Sequence, residues 1–532
     1  MSSPTPDSKP DHSLKDHVED IGYLVNQELH EETVWQAFSR YPKRSFWLIY
    51  AVWVLVISGF DNSASSTVIS IPRFRMDYGS AYDGNYVLPA RWQAAFSGGP
   101  ASGGVIAAVA ASYMADRIGR KPIYLVGLIA VFVGITLEVV SNGSCAMFFG
   151  GKFLCGIATG CFVTMSMTYV AEFAPVAIRG IISAAAPISG SSSQLLVALI
   201  QNGYGDLPSS WAYKSLFMSQ YAISFTALAI WPFLPESPWY YVRQGKDDKA
   251  AKSYRRLGLP EAEIEKAIAN IKLTEEMNKA ETEGVTFAEC FRNSNLRRTI
   301  ITVGPFTIQA FCGILFLVGY SVYYIQLAGY STGESYRLNI ANNTLSCVGN
   351  IISWFLIDRV GRRNLMLSGL GLLTIMLFIT GGLGVAATAG SIKGTVALIL
   401  LFSCVYNSSI GAASYTVLAE ISTPRLRSKT VSLAIVLQSS FDIMWAFVMP
   451  YIFNPDQANL GAKTTFIFGG FSVICWAYLY LYHPETKGRS FQELDEMFTK
   501  RVPTRQFRNY VTETQARGAH VKRQAEQVEE TV

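Results

Sequence analysis

The chain has 532 residues, half of them hydrophobic and only 16% charged, with a formal net charge of +5 and a positive mean hydropathy. A soluble protein of this length carries more charge and divides into two to four domains. The small positive charge is not a nucleic-acid signal, because the basic residues cluster beside apolar runs, as they do in cytosolic loops between membrane spans.

Residues 1–45 are polar and acidic and lack an apolar core, which excludes a secretory signal peptide. They read as a cytosolic tail, helical in pattern at 25–38. Twelve apolar segments follow, each long enough to cross about 30 Å of hydrocarbon. They lie near 46–70, 92–114, 122–141, 147–173, 180–201, 213–234, 299–326, 336–357, 363–386, 394–421, 430–452 and 463–482. Segments of this length in lipid are helices, so the fold class is an all-α membrane protein. Small-residue runs at 97–104 and 183–193 let helix backbones approach closely.

Residues 46–234 thus form one six-helix bundle and 299–482 a second. The stretch 235–298 is a linker of mixed charge with short surface helices, and 483–532 is a charged tail, expected to be disordered after 499. The basic loops all fall on one side if the N-terminus is cytosolic, which places both termini inside. Asn142-Gly-Ser then lies in a short outside loop, as a candidate glycosylation site; the sequons at Asn342 and Asn407 fall inside spans and are discounted.

The eight cysteines form no C-x-x-C pair and read as small buried side chains rather than disulfides. The five histidines (12, 17, 30, 483 and 520) lie outside the spans, so none is an intramembrane proton relay. No phosphate-binding loop, metal cluster or nucleophile–base pair of recognisable spacing occurs, so neither an enzyme nor a cofactor nor a metal is expected.

The two halves echo each other. DRIGRK at 116–121 returns as DRVGRR at 358–363, 242 positions later. Glu172 and Arg179 return as Glu420 and Arg427, 248 positions later, and Glu236 returns as Glu485 after 249. Three matches at nearly one spacing mean an internal duplication, and membrane transporters are commonly built from such repeats with the substrate site where they meet. Acids and arginines gathered at helix ends can pair across two halves and hold one conformation, or simply anchor loops among headgroups.

The ordered set of D-R-x-G-R-[RK] after spans 2 and 8, Y-x-x-E-x-x-P-x-x-x-R-G after span 4, PESP after span 6 and PETKGR after span 12 resembles the sugar porter family of the major facilitator superfamily. Stretches 154–162, 319–329, 425–434 and 450–466 resemble the fungal branch that holds maltose and general α-glucoside permeases. The resemblance covers about residues 40–500 and implies twelve helices moving a sugar by alternating access. It also implies a latch of the outward-facing state built from Asp116, Arg117, Arg120, Glu172, Arg179 and Glu236, with Asp358, Arg359, Arg362, Glu420, Arg427 and Glu485.

Ionisable side chains inside spans are costly and functional by default. Asp61 lies about 15 residues into span 1, about 22 Å from the cytosolic edge, and Lys152 sits at a similar depth in span 4, so the two can pair. The resemblance implies that Asp61 is the proton-binding carboxylate; Lys152 stands where the family offers arginine. A static structural ion pair is the alternative. Asp442, near the middle of span 11, is a further candidate for proton coupling or for binding hydroxyls.

The resemblance also places a sugar site on Gln194, Gln309, Gly313 and Tyr415, with Asn407, Tyr320, Tyr323 and Gln438 as lesser candidates. Glutamines can hydrogen-bond vicinal hydroxyls, and Tyr415 can stack on a sugar ring. The family's second glutamine is Ala310 here, its asparagine is Leu315, and the maltose-permease charges fall on Ser58 and Ile435. The expected function is a plasma-membrane, monomeric, proton-coupled sugar symporter in a lipid bilayer, with protons and a small sugar as its partners and no nucleic acid. A facilitator or exporter of a non-sugar molecule is the alternative. A non-transporting nutrient sensor is disfavoured by the short tails.

Overall fold

Pro42 sits in the first turn of the first long helix, where its missing N–H leaves no bond unmade. The computed structural model describes residues 40–512 apart from 174–175, 283–285, 387, 422–425, 488, 490 and 508–509. The expected helix at 25–38 therefore lies outside the described residues, as do the side chains of Arg179, Asp358 and Arg427.

Helix α1 spans Pro42–Thr67 and is followed by the short α2, Pro72–Tyr78. A two-stranded hairpin, β1 Ser80–Tyr82 and β2 Asn85–Val87, pairs antiparallel with Ser80 opposite Val87. Its turn residues Asp83 and Gly84 both have positive φ, as a two-residue hairpin requires. The first half continues with α3 Ala90–Ile118, α4 Arg120–Val140, α5 Cys145–Phe173, α6 Val176–Tyr204 and α7 Trp211–Ile230. Three linker helices follow: α8 Pro238–Arg243, α9 Asp247–Leu257 and α10 Glu261–Thr282.

The second half begins with a broken element. The expected seventh span is three helices, α11 Asn293–Ile308, α12 Ile314–Gly319 and α13 Ser321–Leu327. Then come α14 Thr332–Val360, α15 Arg362–Ala386, α16 Ala389–Ser408, α17 Ile410–Ile421, α18 Arg427–Phe453, α19 Thr464–Tyr482 and α20 Phe491–Thr499. Helix α14 starts with a reciprocal cap, Ser331 bonded to the Glu334 amide and the Glu334 carboxylate to the Ser331 amide. Among the described residues ten helices are long and apolar enough to cross a membrane. The other two expected spans correspond to α6 and to the broken run α11–α13.

The bundle packs as the duplication dictates. Helix α3 lies on α5 and α14 on α16, which are the same pair in the two halves. The halves meet where α3 packs on α18 and α6 on α14. These two contacts are also equivalent, since span 2 repeats as span 8 and span 5 as span 11. The α3–α5 crossing needs bare backbone: a Cβ on Gly156 or Gly160 would stand 2.2 Å from the carbonyl of Pro100 or Gly104.

Beyond 499 the chain is ordered as far as it is described, contrary to the expected disorder. Val502 and Phe507 are buried. Arg297 holds this stretch by donating to the Val502 carbonyl at 2.9 Å, and its guanidinium lies 5.8 Å from the ring centroids of both Phe498 and Phe507.

Candidate functional site

Three arrangements carry the chemistry. The first lies in the first half. Lys152, two turns into α5, places Nζ 2.9 Å from Asp61 Oδ1 on α1, as the depth of the two residues predicts. The sequence reading missed the third member. Glu138, on the last turn of α4, brings Oε1 to 3.2 Å from the same ammonium. Glu138 and Lys152 are fully buried and Asp61 is 1% exposed. Glycines make the meeting possible: a Cβ on Gly151 would stand 2.7 Å from the Gly134 carbonyl and 2.8 Å from Glu138 Cγ. The rings of Phe217 and Phe148 lie 4.6 and 5.8 Å from the ammonium and exclude water.

Two carboxylates therefore face one cation in a dry interior. Asp61 Oδ2 lacks a hydrogen-bond donor, and Glu138 Oε1 faces only the shared ammonium. Fully ionised, the three groups carry one uncompensated negative charge, which is costly at this depth. Asp61, Glu138 and Cys155 bring ligand atoms within 4.8 Å of one another, yet the Lys152 ammonium already supplies the positive charge a metal would bring.

The second arrangement sits where helices break in the second half. The run Gln309–Gly313 separates α11 from α12, with Gly313 at φ +86. Ser409 separates α16 from α17, a break the sequence reading did not foresee. Tyr406, one turn before it, donates to Gln309 Oε1 at 2.8 Å, and Gln309 Nε2 is buried without a partner. Tyr415 is half exposed, edge-on to Phe306 at 5.0 Å. Asp442, on α18, acts electrostatically on Tyr406, Tyr415 and Cys312 and makes no hydrogen bond or ion pair with a described residue.

Other expected site residues fall differently. Gly313 packs on Leu377 and Phe468 and serves as a backbone bend rather than a contact. Asn407 donates to the Ser403 carbonyl at 2.8 Å. Gln194 on α6 is half-buried and makes no hydrogen bond with a described residue. Tyr320 and Tyr323 pack on Phe453. Asp442 joins this second cluster, and no contact between described residues brings it to Asp61.

The third arrangement is the duplicated charge network, one copy in each half. Arg120 Nη2 meets Glu172 Oε1 at 2.7 Å, and Arg362 Nη2 meets Glu420 Oε1 at 2.8 Å. Glu236 accepts from the amides of Arg120 and Lys121 at 2.8 and 3.0 Å, and Glu485 accepts from the Arg362 amide at 3.0 Å. Ser237 and Thr486 hydroxyls close the two rings on Glu172 and Glu420. Gly119 and Gly361, at φ +94 and +92, leave room for the Glu236 and Glu485 carboxylates. Pairing across the halves and anchoring of loops among headgroups were the two expectations. The described pairs instead lie within each half, because each arginine opens a helix directly beside its own half's acids. Asp116 pairs with Arg120 at 3.5 Å and Arg243 at 3.0 Å. Arg117 stacks on Tyr113, and Arg359 contributes a carbonyl to Lys487 at 2.8 Å; neither side chain joins the rings.

Hydrogen bonds between the halves, among the described residues, lie at mid-bundle or toward the face opposite this network. Asn350 donates to Ser191 at 2.8 Å at mid-bundle. Nearer the opposite face, Gln201 accepts from Asn339 at 3.4 Å, Arg75 donates to Gln326 at 3.0 Å, and Tyr82 donates to the Pro455 carbonyl at 3.2 Å. On the same face Asn142 is exposed, with its side-chain oxygen accepting from Lys214 at 2.6 Å.

The sugar (and other) transporter family model matches residues 47–498. The chain belongs to this family. As a sugar transporter family member it is 30% identical over 513 residues to a general alpha-glucoside permease of Saccharomyces cerevisiae, covering 93% of this chain and 81% of the relative. It is 30% identical over 495 residues to the maltose permease MAL31 of the same yeast, covering 89% of this chain and 78% of that permease. Its fold is that of the major facilitator superfamily. The proton:xylose symporter XylE superposes with a TM-score of 0.67 at 19% identity, over 86% of this chain and 99% of XylE. The inward-open form of XylE from E. coli superposes at 0.68 with 18% identity, over 85% and 99%. This sugar transporter family member is a multi-pass membrane protein.

Proposed function

We propose that the chain is a proton-coupled sugar symporter that works by alternating access, monomeric in the plasma membrane with both termini cytosolic. The observation that carries this reading is the dry Asp61–Lys152–Glu138 group. It holds two carboxylates against one ammonium, so taking up one proton neutralises it and releasing one restores the charge. The polar cluster at the breaks of α11–α12 and α16–α17 is the sugar site: Gln309 presents a free amide, Tyr415 an exposed ring and Asp442 an unpaired carboxylate. Broken helices at mid-membrane line binding sites in transporters of this kind. Bonds between halves on the outer side, such as Asn339 to Gln201 and Arg75 to Gln326, would break as the chain opens outward. The duplicated charge rings hold the cytosolic helix ends, and Arg179, Asp358 and Arg427 complete the latch in the outward-facing state. Asn142 on the outer face carries a glycan.

The yeast relatives are named for maltose and alpha-glucosides, and α-glucosides are the substrates to test first. Ala310 is buried and Leu315 is apolar where the family has hydroxyl-binding amides, so a less hydroxylated molecule moved by facilitation or export is the second reading. Uptake of maltose, sucrose, glucose and xylose into proteoliposomes, with and without an inward proton gradient, distinguishes them. Gradient-driven accumulation of one sugar supports symport; equilibration indifferent to the gradient overturns it.

A further inference from the structure

Two clefts meet at Arg256 where the spans end on the face of the basic loops. The larger, of 680 Å³, is lined by Lys43, Phe46, Trp47, Phe233 and Arg256, with two prolines. The smaller, of 260 Å³, adds Lys249 and Lys252 from α9, together with Glu236. Lys43, Lys249, Lys252 and Arg256 are exposed and make no ion pair with a described residue. Their neighbours are already neutralised, Arg255 by Glu261 and Lys272 by Asp247, each at 2.5 Å. The one acid in the clefts, Glu236, is spent on the amides of Arg120, Lys121 and Ser237 at 2.8, 3.0 and 2.9 Å. Four cations thus line the clefts against the single carboxylate of Glu236.

Their apolar companions stand where acyl chains begin. Phe46 lies in the second turn of α1, and Phe233 in the turn that ends the sixth span; they are 48% and 72% exposed. A surface that is cationic on its aqueous side and aromatic on its membrane side matches one kind of molecule. We propose that this double cleft binds an anionic phospholipid of the adjacent leaflet, its phosphorylated headgroup held by Lys43, Lys249, Lys252 and Arg256 and its acyl chains lying along Phe46 and Phe233. Basic pockets beside membrane helices recognise such headgroups through unscreened charge. Bound there, the lipid ties the start of α1 to α9, and so ties the first half to the linker that joins it to the second.

The test uses the full chain in nanodiscs of phosphatidylcholine, alone or with phosphatidylinositol 4,5-bisphosphate, with retained lipid counted by native mass spectrometry and melting followed in parallel. The expected result is retention of the phosphoinositide and a melt raised by several degrees. The triple variant Lys249→Ala, Lys252→Ala, Arg256→Ala loses at least tenfold of the retention while melting normally in phosphatidylcholine. Lys43→Ala, on a different element, loses a smaller part, so a folding defect on α9 cannot imitate the outcome. Equal retention by wild type and both variants overturns the proposal. So does soluble inositol trisphosphate raising the melt as far as the lipid does, since the ligand is then a free phosphate and not a membrane lipid.

Discussion

Lys152 reaches Glu138 at 3.2 Å across the crossing of α4 and α5, while the same ammonium holds Asp61 at 2.9 Å. One cation is thus shared by two acids from two helices, and the acids compete for it. When Asp61 keeps the ammonium, Glu138 bears the excess charge; a proton arriving on Asp61 removes that excess and leaves the ammonium to Glu138. Glu138→Gln removes the competition and leaves a neutral ion pair. Proton-driven accumulation is expected to fall at least tenfold while exchange of sugar for sugar persists, read as uptake against counterflow in proteoliposomes. Equal loss of both modes would mean that Glu138 only supports the fold.

At the helix breaks, Gln309 accepts from Tyr406 at 2.8 Å and has an unpartnered amide to offer a sugar. A hydrogen bond of this kind contributes about 0.5–1.5 kcal/mol. Gln309→Ala is expected to raise the KM for sugar about tenfold, because Tyr406 also loses its acceptor. Tyr406→Phe is expected to raise it less, since Gln309 keeps its amide. Initial-rate uptake measures both, and an unchanged KM in Gln309→Ala removes this residue from the site.

The duplicated rings differ in burial. The Arg120 and Glu172 side chains are 2% and 10% exposed, whereas Arg362 and Glu420 are 13% and 27% exposed. Removing one partner of a buried pair costs roughly 3–5 kcal/mol, and exposed pairs contribute far less. Glu172→Gln is therefore expected to lower the melting temperature in detergent more than Glu420→Gln does. The opposite order would show that the first ring is relaxed by contacts elsewhere.

Much of this was legible in the sequence, for physical reasons that also mark the gaps. Asp61 and Lys152 stood out because charge inside a span is expensive. Glu138 did not, since it lies near the end of an apolar run, where an acid reads as interfacial; the close approach of Gly134 and Gly151 is what seals it from water. The duplication was plain in the DRIGRK and DRVGRR echo. The partners of Arg120 and Arg362 were not, because sequence spacing cannot tell a bond within a half from one across halves. The break in the seventh span left only Gly313 as a trace, and the break at Ser409 left none. Gln201, Asn339 and Arg75, which join the halves, could have been sought as polar side chains on spans 5 and 8 and at the outer end of span 1.

His483 is buried just beyond the last span, and burial, aided by the nearby Arg363 charge, pushes its pKa down to about 3. An unfolded histidine takes up its proton near 6.5, so the unfolded state binds more protons between the two values. The stability this neutral imidazole provides is fully present above pH 6.5 and is lost as pH falls toward 3. The melting temperature of the wild type is expected to drop below pH 6 more steeply than that of His483→Leu. Parallel slopes would show that His483 is protonated freely in the folded protein.

The most direct test of the central claim is simultaneous recording of proton and maltose entry into proteoliposomes containing wild type or Asp61→Asn. Wild type is expected to acidify the lumen in proportion to the sugar taken up, near one proton per molecule, and Asp61→Asn to carry sugar to equilibrium with no proton signal. Proton entry undiminished in Asp61→Asn, or sugar entry without protons in the wild type, would contradict coupling through the Asp61–Lys152–Glu138 group.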